Sequence, residues 1–141
     1  MRIWDPHTGQ TGHTLTGHTQ AVTALAIAPD GSWLASAGYD PTVRIWDPHT
    51  GQARHTLTGH TQAVTALAIA PDGSWLASAS YDRTVRIWGT NLECLAMSIR
   101  TGYCLQHVVA DGRRVAAAGD RGPYFFAVSP ADRTRDRRSS L

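Results

Sequence analysis

The chain lacks lysine, has only two cysteines and contains no long hydrophobic run. Its 13 basic residues are all arginine and exceed the 11 acidic residues by two. Cys94 and Cys104 are too few for a disulfide framework, and their spacing matches no metal-binding motif. No segment approaches the length of a membrane-spanning helix, and the N-terminus has no signal-peptide core. These absences predict a cytoplasmic chain with reduced thiols and no membrane partner.

The small excess of positive charge lies in the C-terminal segment. Residues 129–141 contain four arginines and two aspartates, and this composition predicts a disordered Arg-rich tail. The rest of the chain, residues 1–128, therefore has balanced charge, which argues against a nucleic-acid-binding face. The tail has no aromatic residue that could stack on bases, so no nucleic-acid partner is expected there either.

The dominant feature of the sequence is an internal repeat. Residues 1–42 return as residues 43–84 with only five differences. The differing pairs are Met1/Val43, Thr11/Ala53, Gly12/Arg54, Gly38/Ser80 and Pro41/Arg83. A repeat of this period indicates stacked copies of one supersecondary unit.

Each repeat contains short strand-like segments separated by turn signals. Ala21–Ala28 is a nearly continuous apolar run closed by Pro29-Asp30-Gly31, which is typical of a strand covered on both faces. The other strands predicted in the first copy are Arg2–Trp4, His13–Thr16, Ser32–Gly38 and Thr42–Trp46. Units of about 40 residues with four short strands suggest β-propeller blades.

A third and degenerate unit follows Trp88. Its predicted strands include Asn91–Arg100, Val115–Gly119 and Tyr124–Val128. We expect Thr101-Gly102-Tyr103 to stand where Gly17-His18 stood, Asp120 near the position of Asp40, and Phe126 near that of Trp46. The total is 13 strands in an all-β fold, as about three blades of four antiparallel strands that leave the ring incomplete.

The dipeptides near the start and end of each repeat resemble those of the WD-repeat β-propeller family. The first copy has Gly17-His18 and Trp46-Asp47, and the second has Gly59-His60 and Trp88, followed by Gly89 instead of aspartate. The third unit resembles the divergent last blade of a bacterial WD-repeat propeller. The resemblance covers about residues 1–128 and implies repeats of about 5–46, 47–88 and 89–128.

This resemblance implies a hydrogen-bonded tetrad in each of the first two repeats. In the family, the histidine after glycine, a serine of the second strand, the aspartate of the next turn and the tryptophan of the third strand form a chain. These residues are His18, Ser36, Asp40 and Trp46, then His60, Ser78, Asp82 and Trp88. These residue types suit such a chain, because a buried indole has one N–H donor and a serine hydroxyl can accept its hydrogen bond.

The resemblance also implies a non-enzymatic scaffold that binds other proteins. In similar proteins, the residue before the turn aspartate and those after Gly-His-Thr lie on one face of the ring and often bind partners. Here these are Gln20, Ala21, Tyr39, Gln62, Ala63 and Tyr81. Tyrosine is a typical interface anchor, with a packed loop side chain as the competing interpretation. Similar bacterial repeats often form the sensor end of larger signalling proteins.

Catalysis and metal binding are the alternatives to a scaffold. Ser36, His18 and Asp40 are the residue types of a hydrolase triad, but no nucleophile elbow accompanies them. The histidines at positions 7, 13, 18, 49, 55 and 60 have spacings of six and five, which match no usual zinc pattern. The sequence predicts no catalytic residue, metal or cofactor. A ligand-binding or enzymatic propeller would need polar residues that differ between blades.

Three blades are too few to close a propeller, which typically has four to eight. Two interpretations remain open. The chain is the C-terminal part of a longer propeller with further blades upstream, which a start within a strand at Met1 favours. Alternatively, two copies form one ring of six blades, in which His13–Thr16 of one copy completes the Thr101–Val128 blade of the other.

Overall fold

The computed structural model describes residues 1–89, 95–111 and 113–127, with side chains described outside 95–97 and 124–127. These residues form 13 strands in antiparallel sheets and contain no helix, so none of their segments is a helix that could cross a membrane. The all-β class and the blade-like four-stranded sheets confirm the predicted fold class. The predicted Arg-rich tail, residues 129–141, lies outside the described residues.

The sheets follow one another along the chain. A two-stranded sheet comes first, with β1 (Arg2–Trp4) and β2 (Thr11–Thr14). The first blade contains β3 (Val22–Ile27), β4 (Leu34–Gly38), β5 (Val43–Trp46) and β6 (Ala53–Leu57). The second contains β7 (Val64–Ile69), β8 (Trp75–Ser80), β9 (Thr84–Gly89) and β10 (Leu95–Arg100). The third contains β11 (Leu105–Ala110), β12 (Arg114–Gly119) and β13 (Gly122–Ala127).

The register identifies β1 and β2 as the third and fourth strands of a blade. Arg2 pairs with Thr14 just as Arg44, on β5, pairs with Thr56 on β6. Trp4 pairs with Thr11 across a register shift. The outer strand therefore begins at Thr11 and ends at Thr14, two residues earlier than the predicted His13–Thr16.

The hydrophobic core lies between successive blades. We call the side of a blade that turns to the blade before it the leading face, and the opposite side the trailing face. The trailing face of the first blade packs on the leading face of the second, with Ala35, Ala37, Val43 and Ile45 against Leu67, Ile69, Leu76 and Trp88. A similar cluster joins the second blade to the third through Ala77, Val85, Ile87, Leu105, Val108 and Val115.

Hydrogen bonds reinforce both blade junctions at the innermost strands. Thr23 Oγ1 donates to the carbonyl of Val64 at 3.1 Å, and Thr65 Oγ1 donates to the carbonyl of Leu105 at 2.7 Å. Each threonine lies in the first strand of its blade and reaches the first strand of the next. The two blade junctions therefore share one geometry as well as one sequence.

The prediction that Ala21–Ala28 is covered on both faces is wrong for the first copy. Leu25 is 55% exposed and Ile27 is 68% exposed, because the described residues contain no complete blade in front of the first one. Their counterparts Leu67 and Ile69 are partly buried against the first blade. One sequence thus has two environments, which depend on whether a preceding blade is present.

Candidate functional site

The first tetrad connects two strands and two loops of one blade through their side chains. His18 lies in the loop between β2 and β3, Ser36 lies in β4, and Asp40 lies in the turn before β5. Trp46 ends β5 and donates from Nε1 to Ser36 Oγ at 2.8 Å. Ser36 Oγ is 2.7 Å from His18 Nε2, and His18 Nδ1 is 2.8 Å from an Asp40 carboxylate oxygen. The structure brings all four residues together.

The second tetrad repeats this geometry in the next blade. Trp88 Nε1 donates to Ser78 Oγ at 2.9 Å, and Ser78 Oγ is 2.7 Å from His60 Nε2. His60 Nδ1 is 2.7 Å from an Asp82 carboxylate oxygen. Four side chains from distant parts of the repeat thus form one continuous network again.

One proton arrangement satisfies every member of the second tetrad. The indole can only donate, so Ser78 Oγ accepts from Trp88 and gives its single proton to His60 Nε2. His60 is then neutral and donates from Nδ1 to Asp82. A doubly protonated His60 would leave the buried hydroxyl proton of Ser78 without an acceptor. The network therefore favours a neutral histidine beside an ionised aspartate.

The pKa shifts agree with this arrangement. Burial lowers the pKa of His60, and the charge of Arg86 also lowers it, against the opposing influence of Asp82. Burial opposes the ionisation of Asp82, but hydrogen bonds from Thr84, His60 and the Thr61 amide outweigh it and lower the pKa of Asp82. Both shifts favour the same proton arrangement as the hydrogen-bond geometry.

The tetrad hydroxyls are structural rather than reactive. Ser36 and Ser78 are fully buried and already hydrogen-bonded on both sides, so neither can reach a substrate. The candidate zinc histidines do not converge, and His13 Nε2 instead lies 2.7 Å from the backbone carbonyl of His49. No cluster of three His, Cys, Asp or Glu residues exists in the part of the chain that the structure describes.

The predicted partner-binding residues lie directly beside the tetrads. The Tyr39 amide donates to the carbonyl of Ala21 at 3.0 Å, and the Tyr81 amide donates to that of Ala63 at 3.1 Å. These bonds join two loops at the same end of each blade. Gln20 and Gln62, the residues before Ala21 and Ala63, are exposed. We call the surface formed by Gln20, Ala21, Tyr39, Gln62, Ala63 and Tyr81 the loop face.

The tyrosines of the loop face are exposed although their backbones are held firmly. Tyr39 is 54% exposed and Tyr81 is 39% exposed. The aspartate after each tyrosine belongs to a tetrad and also accepts the amide of Thr19 or Thr61. The two loops of each blade are therefore braced from below by a buried network, while the phenol rings face solvent.

The structure adds Tyr103 to the loop face, whereas the sequence had matched this residue to the Gly17-His18 dipeptide. Gly119 packs against the Cys104 carbonyl as Gly38 packs against the Ala21 carbonyl. By this equivalence, Tyr103 takes the place of Gln20 on the loop face, and it is 40% exposed with Arg121 5.0 Å from its ring centre. The signal that could have found it was the Gly119 match rather than the Gly-His match.

Two expected correspondences in the third blade hold only to within about one position. Thr101, rather than Gly102 or Tyr103, takes the place of His18. Asp120 follows Gly119 as Tyr39 follows Gly38, and it accepts a hydrogen bond from Gln106 at 3.0 Å instead of joining a tetrad. The shorter hairpin between β12 and β13 explains the displacement of Asp120, because Gly119 pairs directly with Gly122.

Two of the five differences between the repeats fall in the turns of the loop face. Ser80, which replaces Gly38, donates from Oγ to the carbonyl of Gln62 at 3.1 Å and accepts the Asp82 amide at 3.0 Å. Arg83, which replaces Pro41, has a φ of 68°. Proline cannot adopt that angle, so the two turns differ in backbone although their tyrosines match.

Comparisons with known proteins agree with this fold. The family model WD40, described as "WD domain, G-beta repeat", matches residues 9–47 and 51–89. The solved structure of U3-55K superposes with a TM-score of 0.79 at 25% identity, covering 89% of this chain and 45% of that one.

Curated relatives match one repeat each. The Notchless protein homolog of Arabidopsis thaliana is 44% identical over 45 residues, which are 31% of this chain and 10% of the relative. The nuclear distribution protein PAC1 of Arthroderma otae is 46% identical over 44 residues, again 31% and 10%. Human striatin is 36% identical over 44 residues, 31% of this chain and 6% of striatin. The matched segment spans a tenth or less of these relatives.

The two family matches together cover more than half of the 141 residues, and each spans the outer strand of one blade and the first three strands of the next. The predicted resemblance is thereby confirmed, and the chain belongs to the WD40 repeat family.

Proposed function

We propose that this chain is a non-enzymatic scaffold that binds other proteins through its loop face, extended by Tyr103. The observation that carries the proposal is a set of three exposed tyrosines, one in each blade, on loops at the same end of the strands. Tyrosine offers a large contact area and a hydrogen-bonding hydroxyl at a small entropic cost.

Rigidity supports the proposal further. A binding surface gains affinity when its residues are ordered before the partner arrives. Asp40 and Asp82 connect the loops to the buried tetrads, so Tyr39 and Tyr81 stand on ordered backbone. Because the tyrosines recur from blade to blade, an extended partner segment could contact successive blades. The different turns at Pro41 and Arg83 would let the partner distinguish the first blade from the second.

The relatives support the general class only. They are WD-repeat proteins, and the match spans a small part of each, so their own partners and activities are not transferred to this chain. They come from a plant, a fungus and a mammal, and the bacterial source, the cytoplasmic location and the sensor role in a larger signalling protein stay predictions.

Affinity capture with matched variants tests the proposal. A tagged chain and its Tyr39→Ala/Tyr81→Ala/Tyr103→Ala variant would be used as baits in extracts of the source organism, with captured proteins quantified by mass spectrometry. The control is Gln10→Ala/Gln52→Ala, which changes two exposed residues at the opposite end of the blades. We expect the tyrosine variant to lose specific partners that the control retains. An unchanged partner set, with both variants folded by circular dichroism, would reject the loop face.

A further inference from the structure

The leading face of the first blade exposes apolar residues whose counterparts in the second blade are covered. Leu25 and Ile27 expose 55% and 68% of their surface, whereas the same residues of the second blade, Leu67 and Ile69, pack on a neighbouring blade. β1 and β2 cover only the part of this face around Leu34 and Trp46. Because the second blade shows what this sequence packs against, the expected occupant is the trailing face of another blade.

The trailing face of the third blade is open in the complementary way. Val109 is 63% exposed, and it stands in β11 where Ala68 stands in β7. Ala116 and Ala118 stand in β12 where Ala35 and Ala37 stand in β4, by the same register that aligns Gly119 with Gly38. Both alanines are half-buried, whereas Ala35 and Ala37 are fully buried under the second blade.

The strand count is complementary at the two ends as well. β2 is a fourth strand whose blade has no first or second strand among the described residues, and the third blade has three strands there with no fourth. An open groove of about 580 Å³, lined by Met1, Leu15, Val22 and Leu25 among others, lies where those missing inner strands belong.

We propose that two copies of this chain join head to tail into one closed ring of six blades. The trailing face of the third blade of each copy covers Leu25 and Ile27 of the other. The described residues of one copy form three blades, the last without its fourth strand, so two copies give six blades and three give nine, whereas propellers typically close with four to eight. Two is therefore the number of chains that closes the ring, through two equivalent heterologous contacts.

The ring requires an exchange of strands, because the 13 strands of the described residues are one more than three four-stranded blades need. β1 is the one displaced: it has three residues and two irregular pairings with β2. β13 has six regular pairings with β12 and keeps its place. β13 of the second copy then lies beside β2, with Tyr124 opposite Thr14 as Arg44 lies opposite Thr56 in the first blade.

Light scattering after size-exclusion chromatography tests the oligomeric state of the full chain. We expect a dimer, which Leu25→Arg or Val109→Arg converts to a monomer by raising the dissociation constant at least about tenfold, since each change buries an unpaired charge. Tyr39→Arg is the matched control: Tyr39 is 54% exposed against 55% for Leu25, but it lies on the loop face. A monomeric chain would overturn the proposal and favour further blades within a longer chain as the occupant.

A disulfide trap tests the strand exchange itself. In a Cys94→Ser/Cys104→Ser background, Thr14→Cys/Tyr124→Cys should give a covalent dimer on a non-reducing gel. The control Thr56→Cys/Tyr124→Cys should not, because β6 is already the fourth strand of its own blade. Equal cross-linking of the two pairs, a dimer insensitive to both arginine variants, or open polymers would each contradict the ring. These outcomes do not depend on whether the loop face binds other proteins.

Discussion

At the scale of single residues, the serine and the tryptophan of a tetrad are either both present or both replaced. In the first two blades a serine stands between an indole and an imidazole. In the third blade Ala117 stands at the serine position, and Phe126 pairs with Val115 as Trp46 pairs with Leu34. The hydroxyl and the indole donor are absent together, which avoids leaving either group unpaired.

The destabilisation caused by removing the Ser78 hydroxyl and that caused by removing its indole donor should therefore not be additive. We expect Ser78→Ala to lower the free energy of unfolding by about 1–3 kcal/mol, because it leaves the Trp88 indole and His60 Nε2 unpaired. The double variant Ser78→Ala/Trp88→Phe should be less destabilised than the sum of the single changes. Urea unfolding followed by far-UV circular dichroism measures the cycle, and strictly additive costs would contradict the network.

The depressed pKa of His60 predicts a loss of stability on mild acidification. Its folded pKa lies below the ordinary 6.5, so near that pH the unfolded chain binds more protons than the folded chain. This contribution is complete above pH 6.5 and declines as the pH falls towards the folded pKa. The lowered pKa values of Asp40 and Asp82 add a second loss only below their ordinary 3.8.

Urea unfolding of the wild type and of His60→Asn at pH 7.5 and pH 5.5 measures the His60 contribution. We expect the difference in unfolding free energy between the two proteins to shrink at the lower pH. The imidazole must lose or weaken its network there, whereas asparagine does not titrate. A difference that is independent of pH would show that His60 does not become protonated on unfolding in this range.

At the scale of elements, the loop that enters each blade depends on a glycine against an arginine. Gly17 and Gly59 have φ values of 151° and 140°. A Cβ at either position would collide with the guanidinium of Arg44 or Arg86, respectively. The glycine thus allows the guanidinium of the third-strand arginine to lie directly against the loop backbone beside the tetrad histidine.

We expect Gly59→Ala to destabilise the chain by about 1–3 kcal/mol through backbone strain and the collision with Arg86. The double variant Gly59→Ala/Arg86→Ala should recover only the part due to the collision. Gly89→Ala is the control, because a Cβ there meets open space and the backbone is not in the left-handed region. Thermal unfolding distinguishes them, and equal shifts for Gly59→Ala and Gly89→Ala would refute this role for Gly59.

At the scale of the whole molecule, the blades are nearly equal in sequence and unequal in environment. The second blade is packed on both faces, whereas the described residues give the first no full neighbour on its leading face and the third none on its trailing face. In repeat proteins the free energy of unfolding comes from the single units and from the contacts between neighbouring units. Each uncovered face therefore means that one stabilising contact is not formed. The proposed six-bladed ring would supply both missing junctions at once.

Much of this architecture was predictable from the sequence because two nearly identical copies of the repeat show the same pattern of strands and turns. Turn residues and β-branched segments indicated the strands, and the dipeptides around Gly17 and Trp46 indicated the family. The expected position of Asp120 was displaced because the hairpin after Gly119 is shorter. Side-chain motifs had decayed there, and Tyr103 was identified as part of the loop face by the pairing of Leu105 with Gly119 and by the close contact of Gly119 with the Cys104 carbonyl.

The sequence by itself determined the strand order, the blade unit and the residue types of the tetrads, because these depend on local patterns that recur every 42 residues. Only the tertiary structure decided which copies of a residue are covered. Leu25 and Leu67 have identical neighbours along the chain, yet one faces solvent and the other packs on a preceding blade. Burial depends on what lies across the junction, and an identical repeat carries no local information about that.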